Sequence, residues 1–152
     1  MMKERMELFT VLMAKIGRNI RKIKNREMSE YSLRGPHVFC IYYLYTLGSL
    51  TVTELADRCE EDKATISRAV DYLVEEEIID RPDGSAKRYN ARLALTEKGK
   101  AVGDEISHRV DFVLAEAGAG LSEEERASFY QTLNTISENL ERLVKTNKNN
   151  MI

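Results

Sequence analysis

Apolar residues near the start of the chain recur at alternating spacings of three and four. They are Met6, Phe9, Met13, Ile16, Ile20 and Ile23. This spacing places them on one stripe of an α-helix over about residues 4 to 28. A second stripe near the other end consists of Phe129, Leu133, Ile136, Leu140 and Leu143. Stripes that continue over many turns are typical of helices that pack lengthwise against other helices.

A third long helix is predicted over about residues 96 to 117, and Gly118 and Gly120 end it. The C-terminal helix then begins at Ser122, which forms a capping-box spacing with Glu125. Three long helices are too few to enclose a core by themselves, so we expect them to pack together and against a second copy. The predicted dimer interface comprises Met6, Phe9, Met13, Ile16 and Ile20 with Phe129, Leu133, Ile136, Leu140 and Leu143.

Composition favours a helical protein of the cytoplasm. Only 8 Gly and 2 Pro interrupt 152 residues, and the 2 Cys show no metal-ligand spacing. The first residues contain no apolar signal core, and no segment approaches the ~18 apolar residues of a membrane span. We therefore predict a soluble, cytoplasmic protein that needs no membrane, metal or other cofactor.

The middle of the chain contains shorter elements. Pro36 is placed to open a helix that Gly48 closes. Thr51 and Glu54 have capping-box spacing ahead of a short helix over about residues 52 to 59, and Asp62 can cap another from Lys63 to about residue 76. Two short helices joined by a tight turn are typical of a helix-turn-helix. The inner face of the second one is predicted to consist of Ile66, Ala69, Val70 and Leu73.

The segment after this pair has the pattern of a β-hairpin. Asp83 and Gly84 are a turn signal, and Ala91, Leu93 and Leu95 alternate with less apolar neighbours. A hairpin directly after a helix-turn-helix is a wing. The net charge of −2 gives no sign of a nucleic-acid partner, but residues 1 to 28 hold 8 Lys/Arg against 3 Asp/Glu, and residues 81 to 100 hold 6 against 2. Local basic clusters can contact phosphates on an acidic chain.

In a winged helix-turn-helix, the second helix presents its N-terminal residues to base edges in the major groove. Arg68 is the residue there that can pair with guanine through two hydrogen bonds. Cations at a wing tip suit the minor groove or its phosphates. The predicted DNA-binding residues are Lys63, Ala64, Thr65, Ser67, Arg68 and Asp71 on the helix, and Lys87 and Arg88 on the wing.

The stretch from Tyr31 to Gly99 resembles the MarR family of bacterial transcriptional regulators. The segments Leu55–Arg58 and Asp62–Leu73 are similar to the family's helix-turn-helix, and Leu95–Gly99 matches its frequent Leu-Thr-x-x-Gly signature. The order of long and short helices around a wing matches the family over nearly the whole chain.

The resemblance implies a mainly α fold with a small β-hairpin wing, in which a winged helix-turn-helix adjoins a helical dimerisation domain. Residues 33–99 would form the DNA-binding domain, residues 1–32 and 100–148 the dimerisation region, and residues 149–152 a disordered tail. It further implies a homodimer that reads a pseudo-palindromic operator, as a repressor released by a small aromatic or anionic effector. The effector would bind in a cleft between the two parts.

Three features depart from the family pattern. Lys87 and Tyr89 stand where an Asp-x-Arg usually braces the wing, and Asp83 paired with Arg81 or Arg88 is a substitute. Glu77 stands where a Gly commonly ends the recognition helix. Glu60 and Glu61 add negative charge to the turn before that helix, which its N-terminal dipole can offset.

The sensing residues are less determined by the sequence. His37, Cys40, Tyr42 and Tyr43 on the second helix are candidates for the effector cleft, although a Tyr-rich helix is more often core. Cys40 and Cys59 are more often buried packing residues than redox switches, and His108 is predicted to lie at the surface.

Two other classes of function compete with this interpretation. The chain has no phosphate loop, metal-ligand spacing or activated nucleophile, so an enzyme is not expected. A helical dimerisation module that acts through a protein partner and has lost specific DNA binding is one alternative. A cysteine-based, redox-responsive regulator is the other.

Overall fold

The computed structural model describes residues 2–82 and 90–149, apart from the side chains at positions 2, 3, 6, 31 and 147–149. The fold is mainly α with one small antiparallel sheet, which confirms the predicted class. The chain divides into two compact units, Met1–Val110 and Asp111–Ile152. Among the described residues, no helix has the length and apolar character needed to cross a bilayer.

The described elements follow the predicted order. They are α1 (Met2–Met28), a short 3-10 helix (Ser29–Tyr31), α2 (Gly35–Leu47), α3 (Val52–Cys59), α4 (Lys63–Glu75), β1 (Ile79–Asp80), β2 (Ala94–Leu95), α5 (Glu97–Ala117) and α6 (Glu123–Asn149). α6 includes Asn149, the first residue of the predicted tail, and residues 150–152 lie outside the described part of the chain.

Local hydrogen bonds set the starts of the short helices. The Glu54 N–H donates to Thr51 Oγ1 at 3.1 Å, and the Thr51 N–H donates to Glu54 Oε2 at 2.8 Å, which is the predicted capping box of α3. At the start of α4 the Thr65 N–H donates to Asp62 Oδ1 at 2.7 Å. Gly48 ends α2 with a φ of 85°, a conformation that favours glycine.

The core of the first unit lies where α2, α3 and α4 meet. The predicted inner face of α4 is confirmed, since Ile66, Ala69, Val70 and Leu73 are all buried. Their core neighbours on α2 and α3 are Val38, Cys40, Ile41, Leu44, Val52, Leu55 and Ala56. This packing makes the helix-turn-helix and α2 a single body.

The wing closes one side of this core. β1 and β2 are antiparallel with Ile79 opposite Leu95, and Leu50 forms an isolated bridge to Leu93. The predicted alternation is confirmed, because Ala91, Leu93 and Leu95 are buried while the residues between them are exposed. The regular strands are only two residues long. Backbone hydrogen bonds between Leu50 and Leu93 extend the pairing to the loop before α3.

The first turn of α5 packs tightly against the backbone of Glu77 and Ile78, which connect α4 to β1. The Thr96 hydroxyl donates to the Glu77 carbonyl at 2.6 Å and accepts from the Gly99 N–H at 3.0 Å. A Cβ built on Gly99 would lie 2.1 Å from the Ile78 carbonyl oxygen. Position 99 therefore has no room for a side chain.

Polar contacts join α5 to the helices before it. The Tyr45 hydroxyl donates to Asp104 Oδ1 at 2.7 Å. Arg109 donates to the Glu27 carbonyl and forms ion pairs with Glu30 and Glu105. His108 is exposed, as predicted, and its ring lies 2.8 Å from the Asp104 carbonyl.

Within the described part of the chain, much of the apolar stripe of α1 remains exposed. Phe9 and Met13 are 38% and 39% exposed, and Ile16 and Ile20 are both 47% exposed. The side chain of Met6, also predicted at the dimer interface, lies outside the described side chains.

The second unit contains the end of α5, a glycine turn and α6. Gly120 adopts a φ of 84°, and Ser122 and Glu125 form the predicted capping box. None of the described side chains of α6 is buried, and Phe129, Leu140 and Leu143 are about half exposed or more. Leu133 and Ile136 are partly covered.

We expect Gly99→Ala to lower the free energy of unfolding by about 1–3 kcal/mol, because the added methyl group must displace the Ile78 backbone. Gly17→Ala is the matched control, since the corresponding Cβ meets only the Arg21 side chain at 3.7 Å. Alanine should there stabilise α1 by about 0.5–1 kcal/mol. Urea unfolding of the two variants checks this, and equal effects would contradict the close packing at Gly99.

Candidate nucleic-acid interface

The N-terminal end of α4 presents a small exposed surface. Lys63, Ala64 and Arg68 are exposed, and Thr65 is partly covered. Arg68 Nη2 lies 3.3 Å from Thr65 Oγ1, so the guanidinium is held over the first turn of the helix. Hydrogen bonds from the Thr65 N–H and hydroxyl lower the pKa of the Asp62 carboxyl, which therefore stays ionised as the cap of α4.

Ser67 does not belong to this surface. It is only 5% exposed, which contradicts the prediction that it faces DNA. The reason is its place on α4, one turn before the buried Val70. A small hydroxyl at position 67 is compatible with close packing of α4 against the core.

Asp71, also predicted to contact DNA, forms an ion pair within the protein. Its Oδ1 accepts a hydrogen bond from Arg81 Nη2 at 2.7 Å, and both side chains are partly covered. The contact joins the middle of α4 to the base of the wing. The expected pairing of Asp83 with Arg81 or Arg88 stays a prediction, because Asp83 and Arg88 lie outside the described residues.

The tip of the wing lies outside the described residues. Lys87 and Arg88, predicted to contact DNA, fall there, as do Asp83, Gly84 and the brace position at Tyr89. Their DNA-binding role stays a prediction.

A cavity of about 400 Å³ opens beside the exposed end of α4. His37 and Tyr72 line it and stack directly on each other, with ring centroids 4.6 Å apart. Burial, with a smaller contribution from the charge of Arg34, lowers the pKa of His37, so the ring is neutral near pH 7. The lining residues are Ser32, Arg34, Pro36, His37, Thr65, Arg68, Ala69 and Tyr72.

Only His37 of the four residues predicted for an effector cleft lines this cavity. Cys40 is fully buried, so its prediction as a cleft residue is wrong. Tyr42 and Tyr43 pack against the core with their rings edge to face and do not reach the cavity. Because α2 contributes several residues to the core, these two tyrosines also pack toward it.

Sequence reasoning missed Arg34 and Tyr72 at the cavity. Tyr72 lies one turn after Arg68 on α4, and that spacing places the two residues on one face. Arg34 immediately precedes α2. A search for aromatic and cationic residues on the face shared by these helices would have found both.

Comparison with known proteins agrees with this geometry. The sequence pattern of the MarR family matches residues 31–88. YsmB of Bacillus subtilis (strain 168), an uncharacterised HTH-type transcriptional regulator, is 25% identical over 122 residues, which cover 80% of this chain and 84% of YsmB. A MarR family transcriptional regulator of Silicibacter pomeroyi is similar in structure, with a TM-score of 0.75, 26% identity and coverage of 88% of this chain and 89% of that one.

Residues 31–88 therefore match the MarR family, and the fold is that of MarR family structures. The matched pattern and the similar structure are those of transcriptional regulators. The structure of S. aureus MepR in its DNA-binding conformation also has the same fold, with a TM-score of 0.79, 18% identity and coverage of 87% of this chain and 98% of MepR.

The residues that match the Leu-Thr-x-x-Gly signature of the MarR family make specific packing and hydrogen-bond contacts in this chain. Its Leu95 is buried opposite Ile79, its Thr96 hydroxyl accepts from the first turn of α5, and its Gly99 fits against the Ile78 carbonyl. The signature joins the wing to α5.

Glu77, at the position where the family pattern commonly has a Gly, adopts a backbone conformation that favours glycine. Its φ is 59°, in the left-handed region, and its N–H donates to the Val74 carbonyl at 3.0 Å. A side chain at this φ is strained.

We expect Glu77→Gly to raise the free energy of unfolding by about 1 kcal/mol, because glycine adopts a positive φ without strain. Glu76→Gly is the matched control, since Glu76 has a φ of −79°. That variant should be destabilised by about 0.5–1 kcal/mol through the added freedom of the unfolded chain. Chemical denaturation of both variants measures the difference, and a destabilised Glu77→Gly would contradict the strain.

Proposed function

We propose that this chain is a MarR-family transcriptional regulator that binds a pseudo-palindromic DNA operator as a homodimer and represses transcription. The observation that carries the proposal is the exposed N-terminal end of α4, where Lys63 and Arg68 extend from a helix whose other face is buried. A helix N-terminus also has the positive end of its dipole toward phosphates.

Base recognition is assigned to Arg68. The neighbouring Ala64 is small and exposed, so the backbone of α4 can approach base edges closely. The guanidinium offers two parallel donors to guanine O6 and N7. Lys63 supplies charge toward phosphates, and Lys87 and Arg88 are assigned the same role on the wing.

The homodimer is supported by the exposed apolar stripes. On α1 they include Phe9, Met13, Ile16 and Ile20, and on α6 they include Phe129, Leu140 and Leu143. Apolar surface of this extent is covered by a partner in most proteins. A second copy also supplies the second recognition helix that a two-fold symmetric site requires.

The DNA-binding part of the proposal is tested with duplex DNA from the region upstream of the protein's own gene. Arg68→Ala should weaken binding to the preferred site by about 1–3 kcal/mol and reduce discrimination against changed sequences. Arg68→Lys is the matched control, because it keeps the charge but loses the bidentate fork. It should retain the salt dependence of binding and lose most of the specificity.

The contrary result is binding by Arg68→Lys with undiminished specificity, which would remove Arg68 from base recognition. Failure of the unaltered, reduced protein to bind any such duplex in a salt-dependent way would favour the alternative of a protein-interaction module.

The dimer is tested by changing exposed residues that contribute little to the fold of one chain. Ile16→Glu should shift sedimentation toward monomer, because a carboxylate in an apolar interface is left without a partner. Arg18→Glu, on the opposite face of α1, controls for the change of charge and should leave the dimer intact. An unaltered protein that sediments as a folded monomer at micromolar concentration would overturn the homodimer.

We also infer that the cavity beside α4 binds a small aromatic anion as effector. His37 and Tyr72 offer aromatic faces, and Arg34 and Arg68 offer cations. Since Arg68 belongs both to the cavity and to the proposed base contact, an anion there competes with DNA for the same guanidinium. Release from DNA then needs no large change of fold.

Benzoate is a suitable probe for this site. It should weaken duplex binding by the unaltered protein, whereas benzyl alcohol, which has the ring without the charge, should not. Arg34→Ala should abolish the benzoate effect while retaining duplex binding. Equal effects of benzoate on the Arg34→Ala variant and the unaltered protein would place the ligand elsewhere.

A further inference from the structure

The first turn of α4 contains a series of hydrogen bonds that ends on the arginine assigned to base recognition. The Thr65 hydroxyl donates to Asp62 Oδ2 at 2.8 Å. Arg68 Nη2 donates to the same hydroxyl oxygen at 3.3 Å. A hydroxyl group has one proton and two lone pairs, so it can donate to one partner while it accepts from another. Asp62, Thr65 and Arg68 are therefore connected, and we call these three residues the capping network.

We propose that Thr65 and Asp62 are positioning residues that hold the Arg68 guanidinium ready for base recognition, so that Thr65 acts through Arg68 and does not itself touch a base. The two hydrogen bonds of the Thr65 hydroxyl carry the proposal. Its effect on recognition rests on the proposed DNA binding, whereas the ordering of Arg68 is a property of the free protein.

The chemistry of the three groups fixes the direction of the hydrogen bonds. An arginine side chain can only donate, and an ionised carboxylate can only accept. The proton of the Thr65 hydroxyl therefore points to Asp62, and a lone pair of its oxygen faces Arg68. Hydrogen bonds from the Thr65 N–H and hydroxyl lower the pKa of the Asp62 carboxyl, and the charge of Arg68 adds to this effect. The carboxylate therefore stays an acceptor at neutral pH.

The position of Arg68 matters because its side chain is long and exposed. Such a side chain has many rotamers, and binding a base selects one of them at a cost in entropy. A hydrogen bond that selects the rotamer beforehand reduces this cost. Thr65 uses only one of the five N–H groups of the guanidinium, so the others stay available for guanine O6 and N7.

Asp62 connects the orientation of Arg68 to the start of α4. Its Oδ1 accepts from the Thr65 N–H at 2.7 Å as the N-terminal cap, while its Oδ2 accepts from the hydroxyl of the same residue. An asparagine would cap the helix about as well and would not repel phosphates. The capping network gives the carboxylate a function that an uncharged cap does not have.

The ordering of Arg68 is tested without DNA by NMR relaxation of its Nε–H group. Thr65→Val keeps the shape of the side chain and the backbone cap but removes the hydroxyl, so it should increase the mobility of the guanidinium. Thr65→Ser keeps the hydroxyl and should retain the order of the unaltered protein. Equal order of Arg68 in the valine variant and in the unaltered protein would overturn the positioning role.

The effect on recognition is measured as the ratio of dissociation constants for the preferred duplex and for one in which the contacted guanine is changed. Thr65→Val should reduce this discrimination by about 3- to 10-fold, and Thr65→Ser should restore most of it. The salt dependence of binding should stay the same in both variants, because no cation is removed. Undiminished discrimination by the valine variant would overturn the role in recognition.

A double-mutant cycle separates positioning from a direct contact of Thr65 with DNA. In the Arg68→Ala protein, Thr65→Val should have no further effect on duplex binding, because the group that Thr65 positions is already absent. A loss as large as that in the unaltered background would show that Thr65 contacts DNA itself, and would overturn the proposal.

Asp62→Asn tests the carboxylate apart from the cap. The unfolding free energy should change little, but the amide nitrogen cannot accept from the Thr65 hydroxyl. The variant should bind unrelated duplexes more tightly, since it loses a negative charge, and yet discriminate less between sequences. Tighter binding with undiminished discrimination would overturn the part assigned to Asp62. If the unaltered protein binds no duplex, the proposed function fails, and the mobility of Arg68 still decides the positioning role.

Discussion

Burial of one face of α4 is the constraint on which the rest of the molecule depends. Ile66, Val70 and Leu73 are all fully buried. Complete burial of an aliphatic side chain contributes about 1.5–3 kcal/mol, whereas an exposed ion pair contributes about 1 kcal/mol or less. Packing rather than surface charge therefore fixes the rotation of α4 about its axis, and Arg68 must face outward as a consequence.

Local sequence signals predicted the elements of this module well. The capping pair Thr51 and Glu54 set the start of α3 as predicted, and Asp62 set the start of α4. The inner face of α4 followed from its spacing of apolar residues. These features depend on residues within one or two turns of each other, so the sequence pattern contains the information directly.

Contacts between residues far apart in the sequence could not be predicted from such local patterns. Arg81 pairs with Asp71 across the gap between helix and wing, and no periodicity relates the two positions. Arg109 reaches the end of α1 from α5 in the same way. The stacking of His37 on Tyr72 also requires the packed fold. Ser67 was misplaced because a small polar residue fits either a surface or a tight helix contact.

These distant contacts concentrate around the recognition helix. The cavity with Arg34 and Tyr72 lies at its exposed end. Asp71, in the middle of α4, forms an ion pair with Arg81 at the base of the wing. The small net charge of −2 conceals this arrangement, because it averages a basic first helix against an acidic remainder. Each of these features acts on the position or the charge of one helix.

The central claim is that two copies of α4 read one DNA site. Selection of fragments of the source genome that bind the purified, reduced protein, followed by sequencing, tests it most directly. The account predicts enrichment of a pseudo-palindrome whose half-sites lie about one helical turn, ~10 bp, apart. Recovery of fragments without a shared motif, or of a single half-site without a symmetric partner, would contradict it.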